Sequence, residues 1–292
     1  MGSEMGMKKA VYAMLRPVVA IDPIWRVLDV FLRIPRLLDS VRRQVENARG
    51  PEANALAALR TLCPDGRVQR GLCQGLRFPP DRSTFSTIAP MLLGLYERPL
   101  QAKLEHLART RGYDLIVDVG SADGFYAVGL ALRCPAARVI ACDTEPIAQR
   151  ASRAMAEINE VNGRLQVTGF CDSARLVEFG QTARRALILS DCEGFEQRLF
   201  PEGIGEALAR HDVVVELHDW VDYRISPHLR RVFESSHRVE ILRAEDDVQI
   251  VRTAHEYVPE LAGYDWPTRQ ALVCENRRNV HGEWLIALSR HE

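Results

Sequence analysis

From Asp114 onward, short apolar runs alternate with amphipathic segments, and this alternation constrains the fold more than any other feature. Runs such as LIVDV at 115–119 and VVVEL at 213–217 are typical of strands buried on both faces of a parallel sheet. The predicted fold class is therefore α/β, a doubly wound sheet whose ligands bind beyond the carboxyl ends of its strands. The predicted strands are 114–120, 137–143, 165–170, 185–191, 211–218, 238–243 and 283–289, and the predicted helices are 124–133, 146–160, 173–181, 196–208 and 227–236.

The sequence predicts three regions along the whole chain. Residues 1–65 read as a helical N-terminal extension, and residues 66–110 as a hairpin and a helix that lead into the main domain. Residues 111–292 form the α/β domain. Within it, the long segment 244–282 is predicted to be a lid insertion with one helix near 267–276.

Charge and cysteine content indicate which partners and which cellular compartment are expected for this chain. A net charge of −1 argues against a nucleic-acid binder. Residues 1–49 carry nine basic and five acidic side chains, a balance of +4 that is compatible with contact with a membrane surface. Asp22, Asp29 and Asp39 interrupt the basic face, however, so packing on the domain or on a twin subunit in a homodimer is favoured. Seven scattered cysteines without a CxxC pair, and no signal peptide or membrane span, predict a reduced, cytoplasmic protein.

The turn after the first predicted strand, within DVGSADGFYAVGLA at 118–131, limits the choice of cofactor. A dinucleotide site needs glycine at three turn positions, which here are Gly120, Ala122 and Phe125. Asp123 is predicted to lie at the start of the next helix, where a diphosphate would otherwise bind. Two like charges about 4 Å apart repel by about 1 kcal/mol in water and about 4 kcal/mol at an effective dielectric near 20. The turn therefore favours a cofactor that lacks phosphate and carries a positive centre.

The same turn, D-x-G-x-x-x-G with Asp118, Gly120 and Gly124, resembles motif I of the class I S-adenosylmethionine (SAM)-dependent methyltransferases. Three further stretches are similar to the FkbM-type methyltransferases: SDCEGFE at 190–196, VVVELHD at 213–219 and LLGLYE at 92–97. The likeness covers about residues 66–290. It implies a Rossmann-like seven-stranded sheet, SAM as the cofactor, and methyl transfer to a hydroxyl of a small molecule, natural product or sugar.

Acidic residues at successive strand ends are predicted to bind the cofactor. Asp143 is expected to accept both ribose hydroxyls, Asp172 the adenine amino group, and Ser173 to cap the following helix. The full predicted cofactor set is Tyr96, Asp118, Gly120, Ser121, Ala122, Gly124, Asp143, Thr144, Asp172, Ser173 and Asp191.

The chemistry is predicted at the ends of the fourth and fifth strands. His218 is the expected general base, because an imidazole accepts a proton near neutral pH. Glu196 is expected on an exposed helix surface. The predicted catalytic set is Asp191, Glu193, Glu216 and His218.

Three alternatives stay open at this point. Arginine side chains could pair with Glu193 and Glu216. A metal-dependent O-methyltransferase could hold a divalent ion with Asp191, Glu216, His218 and Asp219. Finally, the chain could be a methyltransferase-fold binding or scaffold protein without turnover.

Overall fold

A computed structural model describes residues 51–79, 88–275 and 282–291 of this protein. The chain divides into two compact units, residues 1–56 and residues 57–292, and the second contains the sheet. The helices predicted within 1–49 lie outside the described residues. In the described part of the chain, no helix is both long enough and apolar enough to cross a membrane.

Seven strands form one mixed sheet in the order β3-β2-β1-β4-β5-β7-β6. The first five are parallel to one another, and β7 runs antiparallel to both β5 and β6. This confirms the predicted Rossmann-like seven-stranded α/β sheet. The strands are β1 (Leu115–Val119), β2 (Arg138–Cys142), β3 (Leu165–Thr168), β4 (Ala186–Ser190), β5 (Asp212–Glu216), β6 (His237–Arg243) and β7 (Glu283–Ser289).

Helices cover both faces of the sheet, and two apolar clusters form the core, one on each face. All five residues of β1, β4 and β5 are buried, as their continuous apolar runs predict. The helices are α1 (Pro51–Leu62), α2 (Ile88–Leu93), α3 (Arg98–Thr110), α4 (Phe125–Arg133), α5 (Pro146–Ile158), α6 (Ser173–Gln181), α7 (Glu196–Leu199), α8 (Ile204–Ala207), α9 (Ile225–Glu234), α10 (Asp247–Tyr257) and α11 (Trp266–Val273), with a 3₁₀ helix at Pro259–Gly263.

Three predicted elements differ from the structure. The helix predicted at 196–208 is two short helices, α7 and α8, because Pro201 lacks a backbone N–H and restricts the residue before it. The segment 244–282 contains α10, the 3₁₀ helix and α11 rather than one helix. The hairpin predicted after residue 66 is reduced to a single antiparallel bridge between Arg67 and Arg77.

The strand order reverses direction between β1 and β4, which are hydrogen-bonded neighbours in the sheet. From β1 the chain proceeds outward to β2 and β3, and it then returns to β4 on the other side. A crevice forms at such a reversal, beyond the carboxyl ends of the strands, because the two connections leave toward opposite faces of the sheet. The fold therefore places the turn after β1 and the residues after β4 at the same edge of the sheet.

Candidate functional site

Glycine is required in the turn after β1 because the backbone that follows β4 passes close to it. Gly120 has φ 83°, and a Cβ atom at this position would lie 1.6 Å from the carbonyl oxygen of Asp191. The Asp191 N–H also donates to the Val119 carbonyl at 2.8 Å. Gly124, with φ 88°, caps α4, and the Asp123 carboxylate accepts a hydrogen bond from Phe125 N–H at 3.3 Å. The predicted carboxylate at this helix start is thus present.

One cavity, of about 440 Å³, lies beyond β1 and β2. The Asp143 carboxylate on its wall accepts hydrogen bonds from the backbone N–H of Ala122 at 2.9 Å and of Glu145 at 2.8 Å. Phe170 and Phe195 add an aromatic wall, with ring centroids 5.4 Å apart. Five residues predicted to bind the cofactor line this cavity: Gly120, Ala122, Asp143, Thr144 and Asp191.

A second cavity, of about 370 Å³, lies toward β5 and shares part of its wall with the first. Its described lining contains no lysine or arginine, although it contains six acidic residues: Asp118, Asp123, Asp191, Glu193, Glu216 and Glu275. The predicted residues Tyr96, Ser121 and His218 also line it. Four residues line both cavities: Gly120, Ala122, Asp191 and Glu193. The structure therefore brings the predicted catalytic set together beside the predicted cofactor turn.

Three predicted cofactor residues are not among those that line either cavity. Gly124 packs against Ser152, where an added Cβ would lie 2.7 Å from Oγ. Asp172 is itself the N-cap of α6 and accepts a hydrogen bond from Arg175 N–H at 2.9 Å. Ser173 is the first residue of that helix, so the prediction that it forms the cap was wrong. The chain turns into α6 at Asp172, because its carboxylate satisfies a free backbone N–H.

His218 lies at the centre of a ring of carboxylates. Its Nδ1 is 2.6 Å from Glu196 Oε1, and its Nε2 is 3.4 Å from Asp191 Oδ1 and 3.5 Å from Glu193 Oε2. The His218 side chain is 2% exposed, whereas that of Glu193 is 82% exposed. The partner of Glu193 in this ring is therefore a histidine, not the arginine that the sequence left open.

Glu196 belongs to this ring of carboxylates although the sequence did not predict it there. The expectation of an exposed helix surface was wrong, since Glu196 is fully buried and also accepts a hydrogen bond from Gly194 N–H at 3.1 Å. Helix α7 has only four residues, too few for apolar periodicity to indicate which face is buried. His218 follows 22 positions later. The one available signal in the sequence was that SDCEGFE and VVVELHD each contain the end of a predicted strand.

Other lining residues were also not predicted. The Tyr126 hydroxyl donates to Glu97 at 2.5 Å, and Glu97 N–H donates to Glu275 at 2.7 Å. Glu275 reaches the second cavity from the end of the segment 244–282. Trp220 packs against the His218 ring, with centroids 4.8 Å apart. The contacts of Glu97 with Tyr126 and Glu275 join parts of the chain far apart in sequence, so no local pattern indicates them.

The metal set considered from the sequence is not the one that the fold assembles. Asp219 accepts hydrogen bonds from the Ser226 N–H at 2.9 Å and from its hydroxyl, at the start of α9. Among the residues that the structure describes, the potential ligand atoms that do converge belong to Asp191, Glu193 and His218, and all lie within 4.8 Å of one another.

Burial and mutual repulsion shift the pKa values of these acids. Burial, followed by the charge of Asp191, raises the pKa of Glu216 to about 10 and that of Asp118 to about 7. Burial also raises the pKa of Asp191 to about 6. For Glu196, burial is the largest single influence and opposes ionisation, but the hydrogen bond and charge of His218 together with backbone N–H groups, including that of Gly194, lower the pKa. For His218, burial alone would lower the pKa, but the hydrogen bond and charge of Glu196, together with the charges of Asp191 and Glu193, raise it. Glu196 and His218 therefore each favour the charged form of the other.

The raised pKa of Glu216 predicts that stability falls with rising pH. A glutamate in the unfolded chain loses its proton near its ordinary pKa of 4.5, whereas the folded protein holds the proton until about 10. Between these values the folded state binds more protons, so the free energy of unfolding decreases as pH increases. Glu216→Gln removes this contribution. The decrease in the free energy of unfolding between pH 6 and pH 9 is therefore expected to be smaller than in the parent by at least about 1 kcal/mol.

Urea denaturation of the metal-free protein at pH 6, 7.5 and 9 measures this change. Glu157→Gln, on the exposed face of α5, is the matched control and should follow the parent. Equal pH slopes for Glu216→Gln and the parent would show that Glu216 is ionised in the folded protein.

No family model matches the chain, and no curated protein matches it. Several solved methyltransferase structures resemble it weakly. An O-methyltransferase from Bacillus cereus in complex with SAH is 14% identical, with a TM-score of 0.39 and coverage of 85% of this chain and 97% of that one. The O-methyltransferase TomG from Streptomyces achromogenes in complex with SAM is 15% identical, with a TM-score of 0.40 and coverage of 66% and 80%. The tRNA methyltransferase TrmK from B. subtilis is 12% identical, with a TM-score of 0.40 and coverage of 64% and 64%.

Proposed function

We propose that this chain is a SAM-dependent methyltransferase that acts on a hydroxyl group of a small molecule or sugar. The observation that carries the proposal is the pair of adjoining cavities at the strand reversal, whose described lining bears acidic side chains and no lysine or arginine. A sulfonium cofactor brings a positive charge to such a site. A diphosphate cofactor brings negative charge and meets repulsion instead.

The first cavity suits the adenosine part of SAM. Asp143 lies on its wall at the end of β2, and a carboxylate there can accept hydrogen bonds from ribose hydroxyls. Its two hydrogen bonds to backbone N–H groups fix its orientation and leave further lone pairs. Phe170 and Phe195 supply an apolar surface for a purine ring.

The second cavity suits the acceptor. The methyl group of SAM belongs at the wall shared by the two cavities, where Asp191 and Glu193 contribute to both. His218 lies next to them and lines only the second cavity. A hydroxyl that attacks the methyl carbon has to lose its proton. We assign the removal of this proton to the corner formed by Asp191, Glu193 and His218. The hydroxyl specificity itself rests on the resemblance of SDCEGFE to the FkbM-type enzymes.

Calorimetry tests the cofactor. SAM and SAH are expected to bind, whereas NAD and ATP are not. Asp143→Ala is expected to weaken SAM binding by about 10- to 100-fold, because hydrogen bonds to a charged group contribute about 1.5–3 kcal/mol.

Asp172→Asn is the matched control for Asp143→Ala, since asparagine caps a helix as well as aspartate does and Asp172 is not among the lining residues of either cavity. It should bind SAM as the parent does. Binding of NAD or ATP with no binding of SAM would refute the proposed function.

A further inference from the structure

The corner formed by Asp191, Glu193 and His218 has the composition of a metal site. Each residue directs one potential ligand atom at the others, two carboxylate oxygens and one imidazole nitrogen. The residues come from the ends of two neighbouring strands, so the fold rather than a single loop brings them together. Carboxylate oxygens with one imidazole nitrogen suit ions such as Mn²⁺ or Zn²⁺.

The spacing of these atoms fits a shared ion better than direct hydrogen bonds. The distances from His218 Nε2, 3.4 Å to Asp191 and 3.5 Å to Glu193, exceed the about 2.7–2.9 Å of a charge-assisted hydrogen bond. Two ligands that each bind an ion at about 2.0–2.2 Å, in tetrahedral geometry, lie about 3.3–3.6 Å apart. Asp191 Oδ1 is inaccessible to solvent and makes no hydrogen bond within the described part of the chain.

The contacts behind the imidazole are a second, independent observation. Metal-binding histidines commonly donate their other ring N–H to a carboxylate, which fixes the ring and the tautomer. His218 Nδ1 makes this contact with the fully buried Glu196 at 2.6 Å. Because Nδ1–H donates to Glu196, Nε2 is the ring nitrogen that faces Asp191 and Glu193.

We propose that Asp191, Glu193 and His218 bind one divalent transition-metal ion at the wall shared by the two cavities, with Glu196 as the residue that orients His218. The remaining coordination positions would face the second cavity, where an acceptor hydroxyl or water can occupy them. A bound ion lowers the pKa of such a hydroxyl. The inference of a role in catalysis rests on the proposed function, whereas the inference of binding does not.

The test is a titration of the chelator-treated 292-residue chain with Mn²⁺ in the absence of SAM, followed by electron paramagnetic resonance (EPR) and calorimetry. We expect one saturable ion per chain and a nitrogen coupling in the pulsed EPR spectrum. Glu193→Gln should weaken Mn²⁺ binding at least tenfold, and because its side chain is exposed, its melting curve should match that of the parent. Glu196→Gln should weaken binding by about 10- to 100-fold.

Glu145→Gln is the matched control, because it removes one negative charge from the wall of the first cavity without touching the three ligands. It should bind Mn²⁺ as the parent does. Absence of saturable Mn²⁺ and Zn²⁺ binding by the parent, a spectrum without nitrogen coupling, or equal weakening by Glu145→Gln would each overturn the metal site. SAM binding without metal binding overturns this inference alone, and metal binding without SAM binding overturns the proposed function alone.

Discussion

Replacing Gly120 with alanine is expected to abolish SAM binding and to lower the free energy of unfolding by about 3 kcal/mol or more. The new Cβ would lie 1.6 Å from the Asp191 carbonyl oxygen, which belongs to the backbone and cannot rotate away. The residue also has φ 83°, where any side chain is strained. The turn after β1 must therefore separate from the end of β4, and both cavities lose a shared wall.

Gly163→Ala is the matched control for Gly120→Ala, because a Cβ at Gly163 would have no atom within 4 Å. Urea denaturation gives the free energy of unfolding, and calorimetry with SAM gives the affinity. The control should match the parent in both. An alanine at position 120 that leaves stability and affinity intact would show that the close approach of the two backbones is absent in solution.

Replacing His218 with alanine is expected to reduce the rate of methyl transfer by about 10²- to 10⁴-fold. This change removes the Nε2 atom that faces Asp191 and Glu193. If no ion is bound, Nε2 is the atom that accepts the proton of the acceptor hydroxyl. If an ion is bound, Nε2 is one of its ligands, and the ion lowers the pKa of that hydroxyl. The affinity for SAM should change little, because His218 is not among the residues that line the first cavity. The effect should therefore appear in kcat rather than in cofactor binding.

The assay follows transfer of a labelled methyl group from SAM to an acceptor found by screening hydroxylated small molecules. His255→Ala, at an exposed position of α10, is the matched control and should retain the parent rate. A chelator separates the two roles of His218: loss of the parent activity and recovery with Mn²⁺ supports the ion, and resistance to chelator supports the free imidazole. Unchanged turnover by His218→Ala would remove His218 from the chemistry.

The strands were predictable because a parallel strand with both faces buried requires a continuous apolar run, and LIVDV, ALILS and DVVVE are such runs. The turn after β1 was predictable for a similar local reason, since positive φ at Gly120 and Gly124 favours glycine. Helix boundaries near Pro201 and within 244–282 were less predictable, because short helices offer too few residues for periodicity to show.

The sequence by itself determined the α/β sheet and the edge at which the two cavities lie, because strand burial and turn conformation follow from local patterns. Only the tertiary structure decided which acidic side chains lie together. Glu196 is buried against His218, whereas Asp172 and Asp219 accept hydrogen bonds from backbone N–H groups at the starts of helices. The physical reason is that a carboxylate's role depends on its burial and on the partner within about 3 Å of it, and that partner comes from another strand end that local sequence does not specify.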